Sequence, residues 1–189
     1  PKGKYDIQLP SGKTLFQLFG ERINKLQALG GEHTAEEGAD AEPVKIPWAI
    51  MTSPMNHEET KTFFEEKKFF GLDEEHVHFF PQGTLPCMTN EGKLMLETGY
   101  KVGAASDGNG GIYSALKNSG VLGKFQEQGI KYVHVFSVDN AICRVADPMF
   151  LGYCISEGAD CGNKVVWKTA PDEKVGVVAR RDGKAHVIE

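Results

Sequence analysis

Three short segments carry residue types suited to phosphate and cation chemistry. Asp107-Gly108-Asn109-Gly110-Gly111 combines an acid and an amide with three glycines, directly before a helical pattern. Glycine permits backbone paths and close ligand approaches that side chains block. Free amides at the following helix start can receive a carbonyl or phosphate oxygen. The same residues also suit a plain tight turn with Asp107 as the cap, and spacing alone leaves both readings open. Asp139, in Val138-Asp139-Asn140, ends the strongest apolar run of the chain. A carboxylate there can hold Mg²⁺, which takes one or two carboxylates plus phosphate oxygens and water. A capping or turn aspartate is the alternative. Thr52-Ser53-Pro54 closes another apolar run. All three segments sit where α/β sheets bind ligands, at strand ends and helix starts. Lys2, beside Gly3, can meet phosphates or simply be solvated.

Other candidates carry less. His76 and His78 would place two imidazoles on one face of a strand, but no third ligand stands at metal spacing, so partly exposed strand residues are expected. His134 alternates within an apolar run and reads as a packed core histidine. There is no two-carboxylate Asp-x-Asp, and no Ser-His-Asp or Cys-His set can be assembled.

The elements that must position these groups alternate in type. Leu15, Leu18, Phe19, Ile23, Leu26 and Leu29 recur at helical spacing and predict a helix over 14–29, stopped by Gly30-Gly31. Residues 46–52 read as a buried strand. Asn56 is the expected cap of a helix running to about Lys68. Residues 77–80 form a brief strand. Residues 84–88 and 93–97 flank Asn90-Glu91-Gly92 as a hairpin. A helix over 112–117 precedes the strand 132–138. Asp147-Pro148 opens a helix ending near Gly158. Strands are expected at 165–167, 175–179 and 185–189, the last two joined by a turn at 181–184. This alternation implies an α/β layered sheet, parallel in part, with antiparallel hairpins added. No internal repeat and no long linker interrupts it.

Composition narrows the function classes. The 189 residues carry a formal charge of −5 and no basic run, which argues against nucleic-acid and membrane-surface binding. The stretch 31–42 alone holds five acids and no Lys or Arg, and reads as a solvated loop. No apolar run approaches the ~18–20 residues of a bilayer span. Cys87, Cys143, Cys154 and Cys161 lack CxxC spacing and read as reduced packing thiols of a cytosolic protein. The chain opens at Pro1 with neither methionine nor signal peptide, and is expected to be a fragment or processed product.

Six blocks resemble, in order, the eukaryotic UDP-N-acetylglucosamine (UDP-N-acetylhexosamine) pyrophosphorylase family. They span residues 1–17, Phe80-Pro-Gln-Gly-Thr-Leu-Pro-Cys-Met88, Asp107-Gly-Asn-Gly-Gly-Ile-Tyr113, Val138-Asp-Asn140, Val145-Ala-Asp-Pro148 and Gly158-Ala-Asp-Cys-Gly162. Parts of the pattern are shared with UDP-glucose and UDP-sugar pyrophosphorylases. The resemblance implies a Rossmann-like nucleotidyltransferase (GT-A-like) α/β domain, with a central mixed, mostly parallel sheet, of which residues 1–189 form a part. It implies a cytoplasmic, Mg²⁺-dependent enzyme joining UTP and N-acetylglucosamine 1-phosphate into UDP-N-acetylglucosamine and pyrophosphate.

By the same resemblance, Lys2 contacts UTP phosphates, and Gln82 and Gly108 read the uracil. Asn109 holds the N-acetyl sugar, and Asp139 binds Mg²⁺ and through it the α-phosphate. Gly176 and Glu189 line the sugar pocket. Lys2 and Asp139 are then the catalytic pair. The family's Gly-Gly-x-Gly-Thr-Arg-Leu-Gly signature is expected before Pro1, and further lysines after Glu189, so these residues alone are expected to be inactive. Ser106 stands where proline is frequent in the family, and Pro81 where a polar residue is. A UDP-glucose or UDP-sugar pyrophosphorylase and a non-catalytic nucleotide-binding fragment are the alternatives.

Overall fold

The computed structural model describes residues 1–34 and 43–188. Most of the acidic stretch, and Glu189, lie outside them. The chain forms two compact units, Pro1–Asp147 and Pro148–Glu189.

In the first unit, α1 (Leu15–Thr34) buries Leu15, Phe16, Phe19 and Ile23 on one stripe, as the spacing predicts. It does not stop at Gly30-Gly31. A Cβ at Gly30 would lie 2.5 Å from a Val44 methyl, so the glycine admits a close crossing of the returning chain. The Val44 N–H donates to the Gln27 carbonyl at 3.0 Å. The helix-stop reading fails because tertiary approach, not a cap, is what Gly30 serves.

β1 (Trp48–Thr52) pairs in parallel with β2 (Val77–Pro81), Thr52 standing opposite Pro81. α2 (His57–Glu66) crosses between them and buries Thr60, Phe63 and Phe64. Asn56 precedes α2 but makes no side-chain cap; its Oδ1 instead accepts from the Ser53 N–H at 2.9 Å. Beyond α2 the chain tightens over Lys68–Gly71, where Phe69 and Phe70 hold φ of 50° and 55°. Such conformations are costly for bulky residues. Their rings are held against Phe64, at 6.4 and 4.9 Å between centroids.

The expected hairpin forms only at its tip, with a Met88–Leu94 bridge and the Thr89 N–H donating to the Lys93 carbonyl at 2.8 Å. Beyond the tip, pairing is with later segments. β3 (Thr84–Pro86) pairs antiparallel with β6 (Ala104–Ser106), and β4 (Leu96–Thr98) with β5 (Lys101–Val102). α3 (Gly111–Asn118) and α4 (Val121–Glu127) then pack Ala115, Val121 and Phe125 around Phe80 of β2. Residues 132–138 join no strand ladder among the described residues. Phe136 and Val138 nevertheless pack on the core while Tyr132, Val133 and Val135 face outward. From Val133 to Val138 the segment keeps the sidedness of a strand, with Tyr132 the exception to it; ladder membership needs an adjacent edge, which lies outside local pattern.

His76 falls in a 3-10 turn (Glu74–His76) rather than on β2, while His78 is on β2 with its ring 5.8 Å from that of Phe125. Partial burial, then the Lys124 and His76 charges, hold the His78 pKa below the ordinary value of 6.5. The fold thus opposes protonation at this site. That stability is present above the unfolded pKa near 6.5 and is lost as pH falls through the folded value. His78→Gln is expected to flatten the acid side of the urea-midpoint profile below about pH 6.5; an unchanged slope would assign acid sensitivity elsewhere.

In the second unit, α5 (Pro148–Ser156) opens with proline at its first position, as expected. β7 (Val177–Arg181) and β8 (Lys184–Ile188) form a hairpin turned by Asp182 and Gly183 at φ of 50° and 77°. Positive φ at both central residues matches strand twist in a two-residue turn. The strand expected at 165–167 is absent; Val165, Val166 and Trp167 are exposed without a ladder.

Candidate active site

Lys2 is delivered by local contacts that leave it little choice of place. Residues Lys2–Lys4 make a 3-10 turn whose Gly3 is buried against the Phe16 ring, where a Cβ would collide. The Leu15 N–H donates to the Tyr5 carbonyl at 3.1 Å, and Lys4 pairs with Glu59 of α2 at 2.7 Å. The turn is thereby docked on the start of α1.

Asp139 is held on the same helix by a different route. The Asn140 N–H donates to the Ser137 carbonyl at 3.1 Å, closing a turn after the 132–138 segment. Arg22 of α1 reaches across and donates through Nη1 to the carbonyls of Ala141 and Cys143, at 3.0 and 2.9 Å. Lys2 and Asp139 consequently meet, Nζ to Oδ2 at 3.0 Å, although 137 residues separate them. The Ser137 hydroxyl donates to Oδ1 at 2.5 Å. That hydrogen bond first, and the Lys2 ammonium second, hold the Asp139 carboxyl below the usual carboxylate range. The pair borders a groove of about 530 Å³, lined also by Pro1, Tyr5, Ile7 and Glu59. Both side chains are more than half exposed, so the pair contributes little to stability. Its residues remain available to a ligand.

A second group assembles beyond the end of β2. The Gln82 N–H donates to the Thr52 carbonyl at 2.7 Å, and the Asp107 N–H to the Gly83 carbonyl at 3.1 Å. These bonds carry the glycine turn to the β1 end. The Gln82 Nε2 donates to Asp107 Oδ1 at 3.2 Å. Asp107 does not cap α3; Gly110 occupies the cap position without a side-chain bond. Gly108 has φ of 84°, and both it and Asn109 are exposed on the turn. Thr52, a candidate from its strand-end position, is buried, its hydroxyl bonded to the Phe80 carbonyl and to His57. It is therefore a tether and not a ligand contact.

Among the described residues no hydrogen bond or ion pair joins the Lys2–Asp139 pair directly to Gln82, Gly108 or Asn109. Gly176 lies exposed in the second unit just before β7, and Glu189 falls outside the described residues. The sequence alone assigns no site role to Arg22 or Ser137, and brings in Asp107 only as part of the glycine turn. Ser137 had a signal: a hydroxyl two residues before an acid in an apolar run. Arg22 had none, since its role is two backbone carbonyls far along the chain.

No cluster of three or more His, Cys, Asp or Glu among the described residues could hold a metal ion. Asp139 alone still fits Mg²⁺: an ionised, exposed oxygen donor in a groove with a lysine suits a cation completed by phosphate and water. No disulfide is seen among the described residues, and no helix there is long and apolar enough to cross a membrane.

Comparison with known proteins decides the family. The family model for UTP–glucose-1-phosphate uridylyltransferase matches residues 1–189. The chain belongs to this family. Within this uridylyltransferase family, the chain is similar to the UDP-N-acetylglucosamine diphosphorylase 2 of Arabidopsis thaliana. The two are 51% identical over 191 residues, covering 100% of this chain and 38% of the relative. The human UDP-N-acetylhexosamine pyrophosphorylase-like protein 1 is 46% identical over 189 residues, covering 100% and 36%. The crystal structure of the uridine diphosphate N-acetylglucosamine pyrophosphorylase from Trypanosoma brucei, in complex with inhibitor, matches with a TM-score of 0.89. It is 34% identical and covers 100% of this chain and 38% of that one. The chain thus spans well under half the length of these relatives. Their names agree with the resemblance read from the six sequence blocks, and their fold gives this chain a nucleotidyltransferase-type α/β architecture.

Proposed function

We propose that the full-length protein carrying these residues is a cytosolic uridylyltransferase that joins UTP and N-acetylglucosamine 1-phosphate. The observation that carries the reading is the Lys2–Asp139 pair, an ammonium and an ionised carboxylate 3.0 Å apart in one open groove. In the reaction, an oxygen of the sugar 1-phosphate attacks the α-phosphorus of UTP. The bond from that phosphorus to the bridging oxygen breaks, and pyrophosphate leaves with the electron pair. Such a transfer is mostly positioning and charge neutralisation. Lys2 Nζ offsets charge on the triphosphate. Asp139 is the residue that would hold Mg²⁺, which when bound supplies charge neutralisation at phosphate oxygens. Gln82 and Gly108 orient the uracil, Asn109 the N-acetyl sugar, and Gly176 and Glu189 the sugar hydroxyls.

A second reading keeps the chemistry and takes glucose 1-phosphate, as the description of the matching family model suggests. Turnover of the two sugar phosphates by the full-length protein separates them. The expected result is a preference of at least about ten-fold in kcat/KM for the N-acetylated substrate, the discrimination a fitted pocket gives for a group of this size. Equal or better use of glucose 1-phosphate would reject the first reading.

A further inference from the structure

We infer that Asp107 is a positioning residue that sets base selectivity by fixing which face of the Gln82 amide a nucleobase meets. The inference rests on the proposed contact between Gln82 and uracil and adds the group that makes this contact discriminate. A carboxamide is a donor at one end and an acceptor at the other, and nothing in a glutamine itself decides which end faces a ligand. An ionised carboxylate only accepts. Because Asp107 Oδ1 accepts one Nε2 hydrogen at 3.2 Å, the nitrogen end of the Gln82 amide is anchored at Asp107 and cannot flip without losing that bond. The second Nε2 hydrogen and the amide oxygen are then presented in a fixed order, and among the described residues the oxygen has no donor.

The surroundings hold Asp107 in this task. Its backbone N–H is bonded to the Gly83 carbonyl at 3.1 Å, so the acid and the residue after Gln82 cannot drift apart. A Cβ at either Gly83 or Gly111 would run into the Asp107 carboxylate. The two glycines leave a slot that the carboxylate fills, which is a packing reason for glycine at both places. The Gln82 backbone is fixed independently by the Thr52 carbonyl at 2.7 Å.

A presented amide oxygen accepts from the N3–H of uracil. Cytosine carries a lone pair at N3 and would face it acceptor to acceptor. Uracil and thymine share the N3–H, so this device cannot separate them. That asymmetry yields a readout that a general loss of structure would not produce. A site built to pair one polar edge rejects the analogue that leaves its buried groups unpaired.

The test measures dissociation constants of UTP, CTP and dTTP for the full-length protein and for Asp107→Asn. Asparagine can donate as well as accept, so the Gln82 amide is released to turn over. The CTP/UTP ratio of dissociation constants is expected to fall by about ten-fold or more, the effect of one hydrogen bond gained and one repulsion removed. The dTTP/UTP ratio is expected to stay within about two-fold. A CTP/UTP ratio unchanged in a folded Asp107→Asn protein overturns the inference, as does a parallel change in both ratios. Asp107→Ser, which also frees the amide, carries the test if the asparagine variant does not fold. Gln82→Ala separates the two layers of the argument. If it leaves UTP affinity unchanged, the uracil contact itself is wrong. If it weakens UTP while Asp107→Asn leaves selectivity intact, only the role of Asp107 falls.

Discussion

Asp139→Asn in the full-length protein is expected to lower kcat by roughly two to three orders of magnitude while leaving it folded, the scale seen when one preorganised electrostatic group is removed from a transition state. The substitution keeps the shape of the side chain. The Ser137 hydroxyl can still donate to an oxygen there, as it does now at 2.5 Å. What disappears is the negative charge that Lys2 meets at 3.0 Å and that would hold the divalent cation. Fold stability should barely move, because solvent screens an exposed pair and leaves it contributing little. Steady-state turnover across a Mg²⁺ titration, with a thermal melt on the same sample, checks both halves. Mg²⁺-dependent turnover equal to that of the unsubstituted protein would remove Asp139 from the metal site.

Phe64→Ala carries the largest expected loss of stability. Phe64 has no exposed surface and sits at the centre of an aromatic cluster. Its ring centroid lies 4.9 Å from Phe16, 5.3 Å from Trp48, 4.9 Å from Phe70 and 5.0 Å from Phe79, mostly edge to face. These partners come from α1, β1, the Lys68–Gly71 turn and β2, so no single element can shift to refill the space. Truncation should cost about 3–5 kcal/mol, the transfer and cavity terms together. That is a large share of the ~5–15 kcal/mol by which a domain is stable. The urea midpoint should fall accordingly, with the slope preserved. A loss under about 1 kcal/mol would mean that the cluster collapses around the gap and is not the keystone of the first unit.

The same cluster connects stability to the site. Phe136 meets Phe19 of α1 at 5.1 Å, and Arg22, one turn further, ties down the carbonyls after Asp139. Gly3 seats the Lys2 turn on Phe16. Cation and carboxylate are therefore both referenced to one helix, whose buried stripe is locked by Phe64.

Much of this was legible before any coordinates. The apolar stripe of α1, strands read at 46–52 and 77–80, the turn around Asp182-Gly183 and the glycine turn at 107–111 are written in neighbouring residues, because periodicity and turn chemistry are local properties; that the two strands pair in parallel is not. So were Lys2, Gln82 and Asp139 as candidates, through residue type and block resemblance. The expectations that failed were non-local in origin. Gly30-Gly31 reads as a stop until Val44 is seen to cross at Gly30; residues 132–138 read as a ladder strand because the run is apolar and extended, while the partner edge is not written in it; and the choice left open at Asp107 falls against the cap once Gln82 is found to claim its carboxylate. Residue types and short spacings thus determined which groups could do chemistry and which segments would be helical or extended. Tertiary structure alone decided that Lys2 lies against Asp139 across 137 residues, and that Asp107 faces Gln82. Such meetings depend on how helices and turns pack, and close packing is a property of side chains brought together from the whole chain.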